Sequence, residues 1–286
     1  MELADLGNPT ALAEAVIRQL LPIKPPIPIE EIAAAVGITE IGVIDTEAFE
    51  GALVAPPEKS RGVILVRQHP TPERPRFTIG HELGHYLNPW HVSPEGGFRC
   101  TTQDMRVKLD TTLVARPKME AEANEFAAEI LMPRVLFAAD LHKIVEPGLE
   151  DVCELARSYK TSQIATARRF INLHGDARAL IVSKDALIDQ IYRANGFPFV
   201  DLNRGQPLPP KSLAATYEGQ LDDCSNTELA NCSNWTSNNL RRGAVLFEQV
   251  LVQGKGYRIT LLSVDESECE AAEEEDSAEW RPTFRR

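Results

Sequence analysis

A chain of 286 residues is long for a single core and predicts two or three domains. Its 43% hydrophobic and 25% charged residues are ordinary for a globular protein, and no apolar run approaches the roughly 18 residues of a membrane span. A net charge of −12 argues against a phosphate-binding surface.

The opening Met1-Glu2-Leu3-Ala4-Asp5 has neither a basic nor an apolar leader region, so no secretory signal is expected. Asn8-Pro9-Thr10 starts a helix, with Leu12, Ala15, Val16 and Leu20 at helical spacing. A proline-rich elbow, 22–28, precedes a short helix over 29–36 that stops at Gly37. Apolar runs 38–44, 52–55 and 62–67, rich in Ile and Val, read as short strands. Helices follow at 74–87 and 119–132, the latter stopped by Pro133, with a long loop read between them over 89–118. A short helical piece spans 135–144.

Helices over 149–159 and 162–174, joined by Lys160-Thr161, have the rhythm of a helix-turn-helix. Arg168 and Arg169 could touch phosphate, but two solvated arginines on a packed hairpin suit the acidic charge better, so direct DNA contact is disfavoured. Segments 177–182, 188–192, 245–252 and 257–262 read as strands of a mixed C-terminal domain; the polar stretch 203–239 gives no readable pattern. Between Asp265 and Asp276 stand eight acids and no base, the pattern of a solvated, disordered tail. The five cysteines, 100, 153, 224, 232 and 269, are odd in number and form no C-x-x-C pair, which argues for a reducing, cytoplasmic setting.

The chemistry concentrates in His81-Glu82-Leu83-Gly84-His85. Histidines four apart share a helix face, so both imidazoles can reach one ion. Glu82, one residue beyond His81, is angled to the open side, where it can act as general base on a water and later protonate the leaving amine. Zinc suits two imidazoles and a carboxylate. Gly80 and Gly84 each cost about 1 kcal/mol in a helix, which fits a second backbone packed closely there.

Two candidates compete for third ligand. His91 lies six residues past His85, the metzincin spacing, but that reading needs the chain to reverse at Asn88, and Pro89 holds Asn88 extended. Glu120 shares a helix face with Ala123, Asn124, Ala127 and Leu131, and Asn124 would stand one turn on as a hydrogen-bond partner in the outer shell. Glu122, Glu125 and Glu129 are read as a solvated acidic face.

Two strings carry a family resemblance: Arg76-Phe77-Thr78-Ile79-Gly80-His81-Glu82-Leu83-Gly84-His85, then Glu120-x-x-Ala123-Asn124-x-Phe126-Ala127-Ala128-Glu129-Ile130-Leu131-Met132-Pro133. They resemble the ImmA/IrrE metallopeptidases, with Gly80 in place of the commoner alanine and a longer spacing between the strings. The resemblance implies an α+β fold with a zincin-like peptidase domain over 1–145. A helix-turn-helix-like segment, 146–176, then leads to a mixed α/β domain, 177–265, similar to the GAF-like sensor of some longer members, and an acidic tail, 266–286. It further implies that His81, His85 and Glu120 bind Zn2+, that Glu82 is the catalytic acid/base, and that the substrate is an Xre-type helix-turn-helix repressor. A non-enzymatic regulator on a peptidase-like fold and a metzincin-like general protease are the competing functions; a membrane partner is not expected.

Overall fold

A computed structural model describes residues 7–92, 97–107, 115–236 and 244–265. The expected acidic tail, 266–286, lies outside the described residues. The chain divides into two compact units, one of 1–143 with 154–166, the other of 144–153 with 167–286. Among the described residues the fold is mixed α+β, with eight α-helices and two sheets. No described helix is long and apolar enough to cross a membrane.

In the first unit, α1 (Pro9–Leu20) opens with Pro9 in its first turn, and the Asn8 side chain accepts the Ala11 amide. After α2 (Ile29–Ala35) come β1 (Ile38–Ile44), β2 (Gly51–Val54) and β3 (Gly62–Arg67), close to the spans read from sequence. The β3 pattern alternates buried and half-buried, as a strand with one covered face requires. α3 (Glu73–Leu87) carries the histidine motif, and α4 (Ala115–Leu131) begins four residues earlier than expected.

The segment read as a loop holds a further strand, β4 (Phe98–Cys100), and a 3-10 turn, Asp104–Arg106. Three residues are too few to show an alternating pattern, so the strand was invisible to periodicity. The sheet order is β1-β3-β2-β4, with β1 parallel to β3 and the other pairs antiparallel. Cys100 pairs with Gly51 across β2 and β4. The core under this sheet is aliphatic, built from residues such as Leu12, Ile29, Leu53, Ile64, Leu83 and Ile130. α5 (Arg134–Leu141) follows Pro133.

α6 (Leu149–Tyr159) and α7 (Gln163–His174) fall where sequence placed them, each with residues in both units. The second unit is an antiparallel sheet of order β6-β5-β9-β8-β7, from β5 (Arg178–Lys184), β6 (Leu187–Arg193), β7 (Glu228–Leu229), β8 (Val245–Val252) and β9 (Tyr257–Asp265). The polar stretch that defied reading supplies β7, the short helix α8 (Leu213–Thr216) and the fully buried Trp235. Trp235 donates its indole N–H to the buried Glu248 carboxylate at 3.3 Å, and Ala214 N donates to the same group at 2.6 Å. Arg168 stacks over the Tyr192 ring at 4.4 Å.

Candidate metal centre

α3 is buried continuously from Thr78 to Tyr86, with the sheet on one side and α4 on the other. The helices approach through small residues. A side chain at Gly80 would meet Ala127 at 3.3 Å, and one at Gly84 would meet Phe126 and the Ala123 backbone at 3.1 and 3.2 Å. The glycines therefore do what their cost implied: they let α4 bring Glu120 and Asn124 to the histidines.

Three atoms converge there. Glu120 Oε2 lies 3.2 Å from His81 Nε2 and 3.3 Å from His85 Nε2, and the two Nε2 atoms are 3.2 Å apart. All three side chains are within 1% of complete burial. Ligands about 2.0–2.1 Å from a tetrahedral ion stand about 3.3 Å from one another, so the triangle has the edge such an ion requires.

The hydrogen-bond network fixes which nitrogens face inward. Asn124 Nδ2 donates to the Asp104 and Val107 carbonyls, both at 2.9 Å, which leaves Oδ1 to accept from His81 Nδ1–H at 2.9 Å. His91 Nε2–H donates to the Glu122 carboxylate at 2.9 Å, so His91 Nδ1 accepts from His85 Nδ1–H at 3.0 Å. Both Nε2 atoms consequently present lone pairs to a carboxylate, an arrangement that repels itself unless a cation sits among them. Both Glu82 oxygens and Glu120 Oε1 are also buried without a hydrogen-bond partner. The residues fit a metal ion.

Electrostatics agree. Burial, against the pull of Glu120, lowers His85 to about 3, keeping the imidazole neutral. Burial would raise Glu120, but the His81 and His85 imidazoles packed against it outweigh that and hold the carboxyl below its usual range. Burial pushes Glu82 up to about 7, with His81 pulling the other way.

Of the residues singled out from sequence, His81, His85, Glu120 and Asn124 meet at one point, and Glu82 is buried beside them. His91 stands behind His85 rather than in the triangle. Asn88 is extended, φ −74° and ψ 115°, as Pro89 demands. The acidic face of α4 was misjudged. Glu122 is spent on His91, Glu125 accepts from Thr10 at 2.8 Å, and the buried Glu129 accepts the Arg134 amide at 2.7 Å. Tertiary partners, absent from any helical wheel, account for all three.

Sequence reasoning missed Cys100. Its thiol, on β4, joins His81, His85 and Glu120 in one cluster of potential ligand atoms within 4.8 Å of one another. Burial, then Glu82 and Glu120, push the thiol above its ordinary range. A phenylalanine, an arginine and a cysteine behind two glycines carry no spacing signal. Gly51, opposite Cys100, matters too, because a Cβ there would overlap Glu82 Oε1 and Thr78 Cγ2. A cavity of about 530 Å³ opens beside His91 and Phe98, which pack on His85, and is lined also by Leu53, Lys59, Tyr86 and Val92.

Residues 40–170 match the Peptidase_M78 family model, the IrrE N-terminal-like domain. Among solved structures, the chain is similar to a Mycobacterium tuberculosis transcriptional regulator, with 14% identity, a TM-score of 0.58, and coverage of 93% of this chain and 78% of that one. That likeness is one of fold. No curated protein matches the chain.

Proposed function

We propose that this chain, which carries an IrrE N-terminal-like domain of the M78 peptidase family over residues 40–170, is a regulatory zinc endopeptidase. The observation that carries the reading is the convergence of His81 Nε2, His85 Nε2 and Glu120 Oε2 at 3.2–3.3 Å, with the buried Glu82 carboxylate beside them. His81, His85 and Glu120 would hold the ion. Zinc bound there would make a water nucleophilic near neutral pH and polarise the scissile carbonyl.

The remaining steps belong to the protein. Glu82, near 7 before metal binds and poised in a water-poor pocket, accepts the proton of the attacking water and returns it to the leaving amine. Asn124 and His91 keep the imidazoles in the tautomer that presents Nε2. The adjoining cavity would take an apolar side chain of the substrate.

The substrate we propose is a helix-turn-helix repressor of the Xre type. The ImmA/IrrE resemblance supports it, and the fold shared with a transcriptional regulator suits a regulatory setting. An intact Glu82 favours a peptidase over a pure binding module, which needs no base beside its metal.

The test is zinc content of wild type, Glu120→Ala and His91→Ala purified in parallel. One zinc per wild-type chain, lost with Glu120→Ala and retained with His91→Ala, supports the reading. Loss with His91→Ala alone moves the protein to the metzincin reading. Absence of zinc from all three after reconstitution leaves the non-enzymatic regulator in front.

A further inference from the structure

The proposed reaction needs one position on the ion free for water and substrate. In the structure a protein side chain faces it. Cys100 Sγ lies 3.7 Å from His85 Nε2, within 4.8 Å of the other two inward atoms, and against the carboxylates of Glu82 and Glu120. A zinc–sulfur bond of about 2.3 Å and a zinc–nitrogen bond of about 2.05 Å at a tetrahedral angle place sulfur and nitrogen about 3.6 Å apart. Cys100 is completely buried, so the thiol is there by folding and not by side-chain drift.

The backbone fixes it further. Cys100 ends the edge strand β4, paired with Gly51 of β2, and its carbonyl accepts the Glu50 amide at 2.8 Å. Gly51 has no side chain to crowd the Glu82 carboxylate. Phe98, two residues earlier on the same face of β4, stacks on the His85 ring at 4.2 Å. The strand is thus clamped at both ends of the motif.

We infer that Cys100 is an internal fourth ligand that closes the catalytic position by a short movement of its sulfur onto the ion, so that the chain with β4 seated is a latent peptidase, opened only when β4 withdraws the sulfur. On coordination the S–H bond breaks, its proton passes to the neighbouring Glu82 carboxylate, and a sulfur–metal bond forms. This inference rests on the metal-centre reading above.

The test substitutes Co2+ for zinc in full-length wild type, Cys100→Ser and Cys100→Ala, and titrates each with acetohydroxamate, a small ligand for an open metal position. Wild type should show a sulfur-to-cobalt charge-transfer band in the near ultraviolet that both variants lack while keeping the metal. Acetohydroxamate should bind the variants at least about tenfold more tightly, since in wild type it competes with an internal ligand. Zinc should leave the variants faster, so that metal retention falls as access rises, whereas loss of mere packing would weaken both. Cobalt bound by wild type without the sulfur band, together with equal acetohydroxamate affinities, overturns the inference and leaves the metal centre standing. Cobalt bound by none of the three proteins brings down both.

Discussion

Asn124 Oδ1 receives the His81 Nδ1 proton at 2.9 Å across the seam between α3 and α4, and two backbone carbonyls hold the amide in that orientation. One side chain therefore sets the tautomer of a histidine on another helix. Asn124→Ala should weaken zinc binding by roughly 10–100-fold while leaving the fold intact. Competition against a chromophoric chelator measures it, and an unchanged affinity would show that His81 needs no partner.

His91 and Glu122 act in series on His85. Each alanine variant should lower zinc affinity by about tenfold, and the double variant by little more than either alone. Additive losses in the same chelator assay would mean that Glu122 reaches the centre by some route other than His91.

Gly51→Ala separates metal binding from catalysis. The new methyl group overlaps the Glu82 carboxylate and the Thr78 methyl, its nearest neighbours. Zinc content should stay at one per chain while cleavage falls by about 100-fold, the usual penalty for a base displaced by an ångström. Loss of zinc together with activity would count against a role for Gly51 confined to Glu82.

Burial holds Glu82 at about 7 in the metal-free fold, against an ordinary value of 4.5. Between those values the folded chain keeps a proton that the unfolded chain has released, so rising pH favours unfolding across that window and no further above it. Glu82→Gln removes this slope. Metal-free wild type should lose about 3 kcal/mol relative to that variant as pH climbs through the window. Urea titrations across the range read the difference, and a flat or inverted profile would falsify the buried, protonated carboxyl.

Glu248 in the second unit has no part in the proposed chemistry but satisfies two buried donors, Ala214 N–H and the Trp235 indole. Glu248→Ala strands both and should cost about 2–4 kcal/mol, with the Trp235 fluorescence transition moving to lower denaturant. No movement would mean that water replaces the carboxylate.

The helix bearing His81 and His85 was legible because the two histidines recur at a helical interval, and β1 and β3 because Ile and Val run between turn residues. Glu120 needed a second helix whose small residues, Ala123 and Ala127, share its face; the string was there to be read. Cys100 was not legible, since β4 takes its shape from pairing with β2 and not from its own three residues. Nor was the work of Glu122 and Glu129, because helical spacing says which face a residue occupies and nothing about what that face meets. The buried Trp235 escaped for a like reason, lying in a stretch whose polar composition conceals its one large apolar anchor.

The seam where Gly80 and Gly84 admit Ala123 and Ala127 has a consequence for how long the protein lasts in a cell. Without an ion, the inward lone pairs of His81 and His85 and the Glu120 carboxylate repel one another across the very contact that joins α3 to α4. Opening there exposes Phe126 and Ile130, the kind of surface that degradative proteases seize. We predict that abundance tracks metal supply, a chelator shortening the half-life of wild type well before it empties the cell's other zinc proteins; an unaltered half-life would show that the seam holds without its ion.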